Sequence, residues 1–152
     1  MGLILRDTLR KDGRIIAMTG DNKIERPGEL PALVLAYVGD AVYELLIREH
    51  LVRAGLVRVD RLHGEAVKYV QAAAQARTLR ALEGSLSEEE MAVVRRGRNA
   101  KSPHTPRSSG VIEYRHSTAL ESLVGYLYLK GDTARLNHIL AAALEAAEEQ
   151  QQ

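Results

Sequence analysis

Residues 33–47 constrain the fold more than any other part of the chain, because they are apolar at almost every position. A helix that is apolar on several sides is either surrounded by its own core or shared with a second subunit. A chain of 152 residues leaves little room to surround one helix completely, so the pattern favours a dimer interface. Asp40 stands in the middle of this stretch, and an isolated buried carboxylate is driven to pair, to bind a metal ion or to take up a proton.

Glu121 is a second acid in an apolar stretch, which covers residues 118–127. Two acids on two apolar helices predict a shared cation, and two carboxylates with water suit Mg²⁺. Each acid has a glycine near it in mid-helix, Gly39 or Gly125, although glycine there costs roughly 1 kcal/mol relative to alanine. The glycines predict a close approach of the helices, which would bring Asp40 and Glu121 within reach of one ion. Acids are common on soluble helices, so spacing alone leaves open two solvated side chains.

The chain as a whole favours helices, because alternating strand patterns are nearly absent. We therefore predict an all-α helical bundle forming one domain over residues 27–152, preceded by a weakly structured N-terminal extension at residues 1–26. The predicted helices cover about 29–53, 61–82, 88–96, 112–130 and 133–148. Residues 98–110 are rich in proline, glycine, serine and threonine, which predicts a loop.

Polar residues and glycines predict where several helices begin and end. Asp60 is a candidate N-cap for the second helix, and Ser87 with Glu90 three residues on fits a capping box. Gly131 predicts the end of the fourth long stretch. Asp132 or Thr133 is then expected to cap the last helix.

Composition excludes several classes of site. The chain has no cysteine, so disulfide bonds, thiolate metal sites and cysteine nucleophiles are excluded. No apolar run approaches ~20 residues, so no transmembrane helix and no membrane partner are expected. The start of the chain becomes charged too soon for a secretory signal. We expect a soluble cytoplasmic protein.

Basic residues are concentrated in one segment, although the net charge of the chain is only +1. Residues 95–116 contain six basic residues and one acid, so this segment carries +5. Such a segment on a near-neutral domain indicates a polyanion partner such as nucleic acid. Charge alone fits a solvated loop equally well, with Arg95 and Arg96 pairing with the helix dipole and with residues 88–90. The six basic residues are Arg95, Arg96, Arg98, Lys101, Arg107 and Arg115.

The acidic and basic segments together resemble the catalytic domain of the ribonuclease III family. Residues 35–44 resemble its signature helix with the Gly-Asp-Ala core, and residues 118–129 resemble its second acidic helix, where Glu precedes Ser-Leu-Val-Gly. Residues 95–102 and 114–119 resemble the Mini-ribonuclease III branch, which lacks a double-stranded RNA-binding domain. The resemblance covers about residues 29–142, with the motifs in the family's order and spacing.

This resemblance implies an all-helical homodimer that cuts double-stranded RNA with Mg²⁺, each subunit cutting one strand. The products would be short 3′ overhangs with 5′-phosphate and 3′-hydroxyl ends. The branch is associated with trimming the large-subunit (23S) ribosomal RNA precursor in bacteria, which implies a ribosomal protein as a further partner that presents the substrate. Asp40 matches the family's catalytic Asp, and Glu121 matches its metal-binding Glu.

Five residues at the start of the basic segment are predicted to bind RNA. Double-stranded RNA is recognised largely through its backbone and shape, and without a separate binding domain the catalytic domain must supply these contacts. Asn99 either contacts RNA or orders the loop. The predicted RNA-binding residues are Arg95, Arg96, Arg98, Asn99 and Lys101.

Two acids expected from the family are absent, since Ala36 stands where a Glu is usual and Thr118 where an Asp is usual. Glu44 and Thr118 are predicted to support the metal site from outside the ligand set, although Glu44 could instead pair with Arg48. The absences leave open whether one or two metal ions act. They also favour an alternative, a non-catalytic RNA-binding or ribosome-assembly dimer, and a helical protein-interaction module is a further rival.

Overall fold

Helices account for most of the residues that the computed structural model describes, which are 24–108 and 110–152. A 3₁₀ turn at Pro27–Glu29 leads into α1 (Ala32–Arg53), followed by α2 (Val59–Val70), α3 (Ala72–Leu82), α4 (Glu88–Asn99), α5 (Val111–Lys130) and α6 (Thr133–Glu149). The described residues contain no strand, so the predicted all-α fold is confirmed. Most of the predicted N-terminal extension, residues 1–23, lies outside the described residues. None of the six described helices combines the length and hydropathy that a membrane crossing requires.

Helix α5 is the centre of the bundle and contacts α1, α3, α4 and α6. Its residues from 117 to 127 are all buried except Glu121, which is partly exposed. The core around it is made mainly of aliphatic side chains, whose removal from water stabilises the fold by about 25 cal/mol per Å² of apolar surface. Glu121 is therefore the one position in this stretch that opens towards solvent.

The two mid-helix glycines allow α1 and α5 to cross with their backbones in contact. A Cβ atom at Gly39 would overlap the main-chain carbonyl of Glu121, and a Cβ atom at Gly125 would overlap the main-chain carbonyl of Leu35. The close approach predicted from these glycines is confirmed. It also fixes the backbone of Glu121 directly beside the residue that precedes Asp40.

Some predicted helix boundaries are wrong, each for a local reason. The stretch 61–82 is two helices, because Gln71 adopts an extended conformation with ψ 150° between α2 and α3. Asp60 does not cap α2 but lies in its first turn, where it pairs with Arg58 at 2.8 Å. Helix α4 continues past Gly97, because this glycine packs against Ala119 and Ser122 of α5, where a Cβ atom would be too close.

The predicted ends of α4, α5 and α6 are largely confirmed. The hydroxyl of Ser87 accepts a hydrogen bond from the backbone N–H of Glu90 at 3.2 Å, and Asp132 caps α6 by accepting from the N–H of Arg135 at 3.1 Å. Gly131 ends α5 with φ +81°, a conformation that glycine adopts without strain. The side chain of Glu90 does not complete the capping box, because it is buried and pairs with Arg135 at 2.8 Å. This pair joins α6 to α4.

Candidate active site

Asp40 lies on α1 and is exposed in the single chain, so the expectation that it is buried is wrong. The reason is that α1 buries only one side, against α2, α4 and α5, and leaves the other open. Asp40 lines a groove of about 500 Å³ together with apolar and aromatic side chains. The other lining residues are Tyr37, Val38, Ala41, Val42, Leu45 and Tyr128.

Glu121 lies on α5 beside the same crossing and is held in an unfavourable electrostatic environment. Burial raises the pKa of Glu121 to about 7, and repulsion from Asp40 is the second cause. Hydrogen bonds from Gln75 and Ser117 act in the opposite direction, and Glu44 adds a small further repulsion. Because Asp40 repels Glu121 and Gly39 touches its backbone, the two acids share one site.

The donor set at this site is two carboxylates. Among the described residues, no group of three or more histidine, aspartate or glutamate side chains is placed to hold a metal ion. Two repelling carboxylates at an open groove fit a hydrated divalent cation, since Mg²⁺ keeps several waters and takes few protein ligands. A cation between Asp40 and Glu121 would offset the repulsion that raises the pKa of Glu121.

The two positions where the family has further acids are buried in the helix packing. Ala36 on α1 and Thr118 on α5 are both buried. The hydroxyl of Thr118 donates to the main-chain carbonyl of Tyr114 at 3.0 Å, so its hydrogen-bonding need is met within its own helix. An ionised side chain at either position would need a partner to offset the cost of burial. The predicted supporting role of Thr118 therefore stays a prediction.

Glu44 lies one turn after Asp40 and pairs with Arg48 at 3.4 Å. Both side chains of this pair are largely exposed, and exposed ion pairs contribute about 0–1 kcal/mol. Glu44 is close enough to Glu121 to raise its pKa slightly. The structure thus favours pairing with Arg48, and support of a metal ion by Glu44 stays a prediction.

Sequence reasoning missed two residues that contact Glu121. Ser117, one turn before it, donates a hydrogen bond to Oε1 of Gln75, and its Oγ lies 3.5 Å from Oε1 of Glu121. Gln75 lies on α3 and is only 1% exposed. The spacing of Ser117 from Glu121 was a usable signal. Gln75 offered only a weaker one, as a long polar side chain within an alanine-rich stretch.

The basic segment runs along the last turns of α4 and into the loop that follows. Within the part of the chain that the structure describes, none of its six basic side chains pairs with an acid. The acids at the start of α4 have other partners, since Glu89 accepts from Tyr126 at 3.2 Å and Glu90 pairs with Arg135. Pairing within α4 therefore does not account for this positive charge.

Two contacts attach the basic segment to the rest of the fold. Arg96 donates to the main-chain carbonyl of Leu30 at 3.1 Å, which joins α4 to the turn before α1. In the loop, the hydroxyls of Ser102 and Tyr114 lie 3.0 Å apart. Arg98 is partly exposed, and Arg95, Asn99 and Lys101 are exposed.

Comparisons with known proteins agree with this geometry. The Ribonuclease III domain family matches residues 33–132. A Mini-ribonuclease 3 of Symbiobacterium thermophilum is 51% identical over 126 residues, covering 83% of this chain and 97% of the relative. One of Brevibacillus brevis is 45% identical over 131 residues, covering 86% and 94%. A crystal structure of a Fusobacterium nucleatum protein matches with a TM-score of 0.69 at 30% identity, covering 77% of this chain and 93% of that one.

Proposed function

This chain belongs to the ribonuclease III family and is an endoribonuclease, and we propose that it cuts double-stranded RNA with Mg²⁺ held by Asp40 and Glu121. The observation that carries the proposal is the meeting of these two acids where α1 and α5 cross. Their mutual repulsion is a cost that a bound cation removes, and nothing in the packing of the core needs the pair.

The residues of the chain divide the chemistry between them. A bound divalent cation supplies Lewis-acid chemistry for phosphodiester hydrolysis, leaving 5′-phosphate and 3′-hydroxyl ends. Asp40 and Glu121 hold the cation in the groove, while hydrogen bonds from Gln75 and Ser117 favour the ionised form of Glu121. With two carboxylates instead of four, the remaining positions around the cation are left to water and to RNA phosphate oxygens.

The basic segment is the proposed surface for the RNA backbone. Its cations lack acidic partners among the described residues, so they are available to phosphates. Phosphate contacts of this kind position a duplex without reading its sequence. Arg96 also holds the turn before α1, so we assign it both a structural and a binding role.

The open side of α1 is the proposed homodimer interface. Leu33, Val34 and Leu45 are exposed there, and Tyr37 is 84% exposed, which is unusual for a row of large apolar residues on one helix. A twofold interface pairs the same surface of both subunits. Because Asp40 lines the groove beside Tyr37, the dimer would bring the two active sites close to the interface, one for each RNA strand.

The natural substrate that we propose is the 23S ribosomal RNA precursor, presented by a ribosomal protein in the cytoplasm. Support for this step comes from the resemblance to the Mini-ribonuclease III branch. A purified 23S precursor, incubated with and without ribosomal proteins, tests it by mapping the ends of the cut RNA.

Cleavage of a perfect RNA duplex in Mg²⁺ tests the proposed activity. Asp40→Asn should abolish cutting while leaving folding and RNA binding intact, because it removes one charge from the cation site. Asp60→Asn is the matched control, since Asp60 is exposed and pairs only with Arg58. Cutting by Asp40→Asn at the wild-type rate would rule out this site. Binding without cutting by the wild-type protein would favour the non-catalytic RNA-binding alternative.

A further inference from the structure

Gln75 is a buried polar side chain in a position that packing alone does not explain. Its neighbours on α3, Ala74 and Ala76, are small and buried. Burying an amide without hydrogen-bond partners costs several kcal/mol in an apolar setting, on the order of 2–7, so a glutamine kept there needs partners. Its partners are Ser117 and Glu121 of α5.

The three side chains form a chain of hydrogen bonds that ends on the carboxylate. The hydroxyl of Ser117 has one proton, so it donates either to Gln75 or to Glu121. When it donates to Gln75, the NH₂ group of the amide is the donor left for Glu121. With the amide turned over, Gln75 donates to Ser117 and Ser117 donates to Glu121. Both arrangements direct a donor at the carboxylate.

These donors oppose the two influences that disfavour an ionised Glu121. Burial and the charge of Asp40 both act against the carboxylate form. A carboxylate on α5 that lost its hydrogen bonds could turn away from Asp40 towards solvent or take up a proton. Fixed donors from a neighbouring helix hold it ionised and in one orientation.

We propose that Gln75 is a positioning residue, which acts with Ser117 to hold the carboxylate of Glu121 ready for the cation. The inference rests on the proposed function and assigns Gln75 no contact with RNA. Removing the amide should weaken Mg²⁺ binding about tenfold, the lower end of the effect typical for residues that orient metal ligands. Binding of duplex RNA should stay unchanged, because the basic segment does not depend on Gln75.

Three variants of the full-length chain test the proposal. Gln75→Met keeps the length of the side chain and removes both hydrogen-bonding groups. Ser117→Ala removes the hydroxyl, whereas Ser117→Thr retains it. Thr78→Val is the matched control, because Thr78 is as buried on the same helix and donates to the carbonyl of Ala74.

Calorimetry without RNA measures Mg²⁺ affinity, and cleavage assays measure the Mg²⁺ concentration for half-maximal rate. We expect both to shift about tenfold in Gln75→Met and Ser117→Ala, with Ser117→Thr and Thr78→Val close to wild type. Wild-type affinity in Gln75→Met and Ser117→Ala would overturn the proposal, and if Gln75→Met fails to fold, the two Ser117 variants decide. A wild-type chain that neither binds Mg²⁺ nor cuts duplex RNA would instead overturn the proposed function, and this inference with it.

Discussion

Replacing Glu121 by glutamine is expected to stabilise the metal-free protein at alkaline pH, because the native site disfavours the ionised carboxylate. Burial, with repulsion from Asp40, raises the pKa of Glu121 from 4.5 to about 7. Since one pKa unit corresponds to about 1.4 kcal/mol, the ionised carboxylate lowers the free energy of unfolding by up to about 3 kcal/mol. Solvent in the open groove screens part of this, so we expect about 2–3 kcal/mol.

The sign of the pH dependence follows from proton binding. Between pH 4.5 and about 7, the folded state holds more of the Glu121 proton than the unfolded chain does. The free energy of unfolding of the wild type therefore falls as the pH rises through this window. Glu121→Gln lacks this titration, so its advantage should be near zero at pH 4.5 and complete above pH 7.

Urea unfolding in a chelating buffer, followed by circular dichroism at fixed protein concentration, measures this difference. The comparison of variant with wild type at each pH cancels the other titrating groups. Glu65→Gln is the control, because its carboxylate is paired with Lys68 on the surface of α2 and such pairs contribute about 0–1 kcal/mol. An advantage of Glu121→Gln that is the same at pH 5 and pH 8 would refute the electrostatic argument.

Three further changes test the packing, the RNA surface and the interface. Gly39→Ala should destabilise the protein by at least about 2 kcal/mol in urea unfolding, because its methyl group overlaps the Glu121 backbone; Gly64→Ala, in open space on α2, should stabilise it by roughly 0.5–1 kcal/mol. Alanine at Arg95, Arg96 and Arg98 together should lower the salt dependence of RNA binding by about one per lost phosphate contact, whereas Arg53→Ala, which breaks a pair with Glu49, should not. Tyr37→Ala should raise the dimer dissociation constant at least about tenfold in sedimentation, and the equally exposed Val57→Ala should leave it unchanged.

The sequence was sufficient for the helix crossing because its signals are local and costly. A glycine in mid-helix on both α1 and α5 has few explanations other than backbone contact, and the structure places Gly39 and Gly125 at that contact. The convergence of the acids follows from the same crossing.

Other features depended on tertiary packing and could not be read from the chain. Gln71 lies between helix-favouring residues, yet it is extended because α2 and α3 dock separately. The exposure of Asp40 depends on which side of α1 the single chain covers. Gln75 becomes part of the site only when α3 packs on α5, which brings together residues 42 positions apart.

The most direct test of the account is a crystal of the protein soaked with Mn²⁺, in which anomalous scattering locates the ion. We expect a peak in the groove where α1 and α5 cross, within bonding distance of the carboxylates of Asp40 and Glu121, and we expect it to be absent from Asp40→Asn. A peak held by other residues, or one that persists unchanged in Asp40→Asn, would contradict the central claim.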